Sequence, residues 1–339
     1  MEKEREKVNK LSKVLDNEEI IDLSVSYSKI SDFDRNGAIS LVRQKSVEGA
    51  GLKLGSLVDD LLFLSNDEFN KLYYKFDGDK PTATLGVLCD IIIKNYLEIP
   101  TREEVLIIIQ QNNLWKRQKE ETLYSNFDIP EFWNYLKCMF ESTGKIIITT
   151  SEYNDALELS TILKEHKYSK YILDNNLDNY YQVKFEFDYR GFKVRGIIDI
   201  LTIDHKNKTV QLIDLKTGKN NAIEFEESFI KWRYYFQGAL YQRAFNEICK
   251  LLKLKGYTLE PFKFLYISKS DKTPLLFIMT DKWVKAAYKG FNIGKYRYRG
   301  IDELLDEIYW CWKNKEYITP KYIVDNDGVV ELKDNFIEV

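Results

Sequence analysis

Histidine is scarce: the 339 residues include only His166 and His205. A serine–histidine triad or a histidine-rich metal site therefore has little to draw on. Both residues are expected in water, His166 in the helical-looking LKEHKY and His205 in a polar connection between strands. Cysteine is equally thin. Cys89, Cys138, Cys249 and Cys311 lie far apart without a CxxC, so zinc sites and iron–sulfur clusters lack their usual spacing. A disulfide framework is out of place in a chain of this size. No apolar run approaches membrane-spanning length, and no signal-peptide pattern opens the chain. The expectation is a protein of the reducing cytoplasm with no membrane partner. The GxxxxGK[ST] phosphate loop is also missing, because FNIGKY and ESTGKI have neither its spacing nor its Ser/Thr. That speaks against a nucleotide-driven motor. Net charge is −3, so the total announces no polyanion; its distribution has to be read instead.

What is present is ordinary globular material, 44% hydrophobic, 14% aromatic and 30% charged, with length for a substantial core. The mixed-charge opening, MEKEREKVNKLSK, reads as a charged helix over 1–25. LSVSYSKISDFDRNG (23–37) has the Ser/Asp-rich look of a helix start. An apolar helix, then a second one after the Asn66-Asp67 cap signal, account for 52–74. Residues 75–150, punctuated by Pro81, Pro100 and Pro130, read as a helical insertion. SEYNDALELSTILKEHKY (151–168) is a further helix opened by a Ser cap, and the period then changes. YYQVKFEFDY alternates as a strand, Arg190-Gly191 offers a two-residue turn, and FKVRGIIDILTID runs on as the next strand. Residues 227–253 read as one long helix, FKFLYISKS and PLLFIMT as strands, and 281–293 and 301–315 as closing helices. Around 285–299, YKGFNIGKYRYRG interleaves Tyr with Lys and Arg. That pattern suits a single-stranded nucleic acid groove or merely an amphipathic surface, with Lys295, Arg297 and Arg299 as the candidate contacts.

The segment 194–219, VRGIIDILTIDHKNKTVQLIDLKTGK, carries most of the chemistry. HKNK is a polar four-residue connection between two β-branched runs. A symmetric hairpin pairs Asp204 with Thr209, and counting back sets Asp199 opposite Asp214. Opposed side chains lie roughly 5 Å apart at Cβ, where like charges destabilise a sheet. Lys216 shares the face of Asp214 by period 2. Two carboxylates and an ammonium embedded in Ile and Leu are explained by a divalent cation between the acids. The plainer alternative is a solvated surface hairpin. The preceding hairpin places Glu186 opposite Arg195, as a group behind the metal ligands, as a ligand of a second metal, or as a structural ion pair.

A three-strand meander bearing D…DxK and followed by a helix resembles the PD-(D/E)xK nuclease superfamily, in particular its RecB-type branch with the phage recombination exonucleases. GIID (196–199), DLK (214–216) and QGALY (237–241) carry the likeness, in order. LGSLVDDLL (54–62) is a weaker fourth piece. The resemblance covers roughly 50–75 and 150–270 and leaves the rest of the chain unexplained.

It implies an α/β, restriction-endonuclease-like core with a central mixed sheet flanked by helices. Residues 26–339 form the nuclease domain, with 75–150 as the helical insertion and 151–270 as the catalytic core. It implies an Mg²⁺- or Mn²⁺-dependent exodeoxyribonuclease without an iron–sulfur cluster, since hard oxygen donors suit those ions. Asp199, Asp214 and the Leu215 carbonyl would hold metal. Lys216 would orient or deprotonate the attacking water, and Gln237 and Tyr241, one helical turn apart, would reach over the site. Where the family has a histidine four residues after glycine, this chain has Asp59, with Asp60 as rival. DNA is the implied partner, a single-strand annealing protein a further one, and oligomerisation stays open. So do a structure-selective endonuclease, a catalytically silent nucleic-acid-binding module, and a scaffold or assembly protein in which D…DxK is coincidence.

Overall fold

A computed structural model of the chain describes residues 23–43, 50–142, 144–173 and 178–329. The helix expected over 1–25 lies outside them as far as residue 22. Two compact units are present, one of 50–162 and one combining 1–49 with 163–339.

The second unit begins with β1 (Ser24–Ser26), then a helix over Tyr27–Asn36 whose N-cap, Ser26, accepts the Lys29 amide. In the helical unit, β2 (Tyr73–Phe76) and β3 (Ile146–Thr149) pair in parallel, where the sequence suggested only helix. The aromatic YYKF and β-branched IIIT runs favour extended backbone, but their partners lie some seventy residues apart, out of reach of local pattern. Its helices enclose a core of Leu88, Ile92, Ile109, Phe127, Phe132 and Leu136. Their starts are set by side chains: Ser65, rather than Asn66, caps Asn66–Leu72 in a capping box with Glu68. Thr149, rather than Ser151, opens the helix Thr150–Glu165, by the reciprocal bonds Glu152 N to Thr149 Oγ1 (3.1 Å) and Thr149 N to Glu152 Oε2 (2.8 Å).

The sheet follows, with β4 (Asp178–Tyr189), β5 (Phe192–Asp204) and β6 (Thr209–Gly218) as an antiparallel meander. Arg190 and Gly191 both take positive φ (51° and 80°), the backbone whose twist matches a two-residue hairpin. Glu186 pairs with Arg195 and Asp204 with Thr209, the registers the sequence implied. β7 (Thr258–Leu259) and β8 (Lys263–Ser268) lie parallel to β6, and β9 (Leu275–Ile278) antiparallel to β8. With β1 parallel to β5, the order β1-β5-β6-β8-β9 is a mixed sheet. Helices complete the core, where Val194, Ile198, Leu212 and Phe264 meet Phe236, Leu240 and Ile308.

Two helices end earlier than the sequence suggested. The run 227–253 divides into Phe225–Lys231, Tyr234–Arg243 and Phe245–Leu251. Trp232's carbonyl accepts the hydroxyls of Tyr27 (2.7 Å) and Ser31 (2.9 Å), and Arg233 turns left-handed at φ 62°. The closing helix begun at Asp281 stops at Lys289, because Gly290 turns to φ 80° and the chain goes into the ribbon β10 (Phe291–Ile293) and β11 (Tyr296–Tyr298). Among the described residues no helix is long and apolar enough to cross a membrane.

Candidate active site

Antiparallel pairing between β5 and β6 runs from Asp204↔Thr209 to Ile200↔Ile213 and ends there. The next pair in that register is Asp199 and Asp214. Instead of continuing the ladder, the Leu215 amide donates to Asp199 Oδ2 at 2.8 Å, while β6 goes on pairing with β8 on its other edge. The two strands fork at the two acids. Gln182, opposite Asp199 on β4, donates to Asp199 Oδ1 at 3.3 Å from a left-handed backbone (φ 52°). Strain of this kind inside a strand is tolerated where the surroundings demand it.

Asp214 is 1% exposed. Its Oδ1 accepts the Gln237 side-chain amide, and its Oδ2 lies 2.5 Å from the Lys216 ammonium yet has no aligned hydrogen-bond donor. Gln237 also reaches the Tyr241 hydroxyl at 3.1 Å, while its own Oε1 is buried without a partner. Tyr241 is held edge-on by Phe185, with ring centroids 5.0 Å apart. That packing explains Gly196 of the GIID strand: a Cβ there would stand 2.4 Å from Phe185 and 3.0 Å from Tyr241.

Lys216 sits under the Tyr234 ring, 5.0 Å from its centroid. Burial works against the ammonium's charge, but the neighbouring Asp214 and Asp199 carboxylates outweigh it and hold the lysine well above its usual pKa. Burial raises the phenols of Tyr27, Tyr234 and Tyr241, so all three stay protonated near neutral pH. Tyr234 and Tyr27 were not singled out in the sequence. Tyr234 was findable, three residues before Gln237 on the same helix face; Tyr27 is brought in by the tertiary fold.

Glu186 gives its two oxygens to Lys193 (3.0 Å) and Arg195 (2.7 Å), which depress its carboxyl pKa, so it takes the ion-pair alternative here. A cavity of about 730 Å³ opens beside it, lined by Lys193, Arg243 and Lys250, and contains none of the fork residues. Arg297 pairs with Glu303 through both guanidinium ends, and Lys295 lies 5.9 Å from the Tyr296 ring centroid. Arg299 bonds Asp34 (3.0 Å) and Glu307 (2.6 Å). His205 is exposed at the hairpin end, as the sequence implied, and its ring also bonds Tyr257 and Asp178.

In the helical unit, Asp59 is half-buried on the helix Ala50–Phe63, and its neighbour Asp60 accepts the Tyr73 hydroxyl at 2.6 Å. Among the described residues no three His, Cys, Asp or Glu side chains converge on one point. The fork itself suits a hard cation: two carboxylates at one point supply oxygen donors only, and the one charge against the buried Asp214 is the Lys216 ammonium.

A helix, a meander carrying two acids at a strand fork, DxK on its last strand and a glutamine anchoring the second acid are now in place. Residues 151–291 match the PD-(D/E)XK nuclease superfamily. The mixed sheet flanked by helices is the restriction-endonuclease-like arrangement of that superfamily. The chain is also similar to the solved structure of a "Putative exonuclease" from Eubacterium rectale, at 15% identity and TM-score 0.45 over 92% of this chain and 90% of that one. A second solved structure, SSO0001, aligns at 13% identity and TM-score 0.26 over 70% and 82% of the two chains. No curated protein matches the sequence. The matched segment runs from the helix Thr150–Glu165 to the start of the ribbon.

Proposed function

We propose that this chain is an Mg²⁺- or Mn²⁺-dependent deoxyribonuclease that degrades duplex DNA from its ends, in the manner of phage recombination exonucleases. The observation that carries the reading is the Asp214 carboxylate, buried at the fork beside Asp199, ion-paired to the lysine of DxK and bonded by Gln237. Two acids brought level at a dry fork are set against a single ammonium, and a second positive charge between them would balance the pair. Asp199 and Asp214 would hold the ion. Leu215 would add its carbonyl, since a strand residue presents N–H and C=O to the same edge and its N–H already points to Asp199. When bound, Mg²⁺ or Mn²⁺ supplies an activated water and neutralises charge on the phosphate.

The chain's own groups do the rest. Lys216, with its proton held, orients the attacking water and balances charge on the scissile phosphate. Gln237 fixes the Asp214 carboxylate, and Tyr241 fixes Gln237. Tyr234 covers the lysine and keeps bulk water from it. Lys295, Arg297 and Arg299 offer a path for the phosphate backbone beyond the site, with Arg299 held in place by Asp34 and Glu307. The single-stranded tail such an enzyme leaves is what a single-strand annealing protein consumes.

Asp59 is proposed to take the role of the family's histidine. Asp59→Ala is expected to lose cleavage and weaken Mn²⁺ binding, whereas Asp60→Ala, whose carboxylate serves Tyr73, keeps both. The deciding experiment for the whole reading incubates end-labelled linear duplex and closed circular DNA with Mg²⁺, Mn²⁺ or EDTA. Expected is metal-dependent loss of nucleotides from linear ends, with circles intact. Cut circles would make the enzyme an endonuclease. DNA binding without cleavage would make it a silent module, and no binding at all a scaffold.

A further inference from the structure

The break in the helix after Lys231 leaves an exposed indole on an unusually firm mount. Trp232 is 39% exposed, although Phe229 before it and Tyr235 to Tyr241 after it are buried. Its carbonyl is held by Tyr27 and Ser31, from the helix Tyr27–Asn36. The next residue, Arg233, is pinned by Asp34 at 2.7 Å. An exposed aromatic side chain ordinarily gains nothing from so fixed a backbone.

The mount also connects to the chemistry. Tyr27's ring lies 6.2 Å from that of Tyr234, and Tyr234 covers the Lys216 ammonium. On the other side Arg233 lies over the Tyr298 ring at 5.3 Å, joining Trp232 to the cation-bearing ribbon. Two cations attend the indole itself, Arg35 at 4.9 Å and Lys231 at 5.2 Å from its centroid. Arg35 is fixed by Asp32 (3.7 Å) and by the Ser31 carbonyl (3.2 Å). Lys231 makes no ion pair among the described residues, though Glu227 is exposed one turn before it.

We propose that Trp232 is a stacking platform for an unpaired base at the end of the nucleic acid strand led to the Asp199–Asp214 fork. The proposal rests on the nuclease reading above. A base replaces the Lys231 ammonium on the indole, and Lys231, on its flexible stem, moves to the adjoining phosphate. Every nucleotide presents one π-face and one phosphate, which is what one ring beside one mobile cation recognises. A protein partner fits less well: interface cores are depleted in lysine and need hundreds of square ångströms, not a single ring. The site would therefore favour ends that are frayed or tailed over blunt ones.

The test measures binding by fluorescence anisotropy, with Ca²⁺ replacing Mg²⁺ to prevent cleavage. The probes are a duplex with a short thymidine tail, the same duplex blunt, and the same tail built of abasic sites. Trp232→Ala is expected to weaken binding of the thymidine-tailed duplex by about tenfold, the size of one base–aromatic stack, and to leave the abasic tail nearly unchanged. Trp232→Phe, which keeps a ring, should retain most of the affinity. Equal weakening on thymidine and abasic tails, or none on either, overturns the platform while the nuclease reading stands. A parent chain that binds no probe overturns both. Sedimentation of the free protein covers the remaining case: a change of mass on Trp232→Ala, with tail affinity kept, makes the ring a protein contact and overturns the stacking.

Discussion

The hairpin of β5 and β6 carries an aspartate near each end, and the two are treated in opposite ways. At the closed end Asp204 is half-buried, and both its oxygens are used: one accepts the Asn207 amide at 2.9 Å, the other the Asn207 side chain at 2.7 Å. Those bonds lower its pKa and shape the connection, and pairing with Thr209 is complete. At the open end Asp214 is buried, the ladder has stopped, and one oxygen is met by the Lys216 ammonium alone. An acid that serves the fold finds its donors within the fold. On the proposed reading, an acid buried where the ladder has opened, with a lysine against one oxygen, is kept for a metal ion.

Replacing each acid should break this symmetry in different assays. Asp214→Asn or Asp199→Asn keeps the shape and is expected to lower metal-dependent cleavage by about a thousandfold or more, because the ion's several kcal/mol of transition-state stabilisation is lost. Circular dichroism should show the fold retained. Near-normal cleavage by Asp214→Asn would move the site elsewhere.

Next in size, Lys216→Ala is expected to slow single-turnover cleavage by about 10²- to 10³-fold, the range of one preorganised group that stabilises transition-state charge. DNA affinity in Ca²⁺ should hardly change. Affinity lost with the single-turnover rate preserved would instead make Lys216 a phosphate clamp. Gly196→Ala tests the packing that backs the open end. Its methyl collides with Phe185 and Tyr241, so about 1–3 kcal/mol of stability should go, read as a lower denaturation midpoint. An unchanged midpoint would mean that these rings yield. Smallest of all, Asp204→Ala should lower the melting temperature slightly and leave cleavage untouched; a cleavage defect there would erase the contrast between the two ends.

The closed end was legible in the sequence because alternation and turn chemistry are local. HKNK and Arg190-Gly191 set the registers, and the registers put Asp199 level with Asp214. The fork itself was not legible, since it depends on the Asp199 side chain intercepting the Leu215 amide. Nor was the break at Trp232 and Arg233. Helical periodicity runs smoothly through KWRYY, and only the hydroxyls of Tyr27 and Ser31, some two hundred residues away, withdraw the carbonyl from the helix. Tyr234's place over Lys216 follows from that break.

The Asp34 carboxylate, 6% exposed, binds Arg233 with one oxygen and Arg299 with the other, and Arg299 continues to Glu307. A residue near the beginning of the chain and residues 199 and 265 positions further on thus share one charge balance. A fragment trimmed to the matched segment 151–291 would keep Arg233 but discard Asp34, and with it β1 and the hydroxyls that hold Trp232. Losing one partner of a buried pair typically costs about 3–5 kcal/mol, a large share of a domain's stability. A fragment meant to keep this charge balance therefore has to run from before β1 to beyond Glu307, well outside the matched segment.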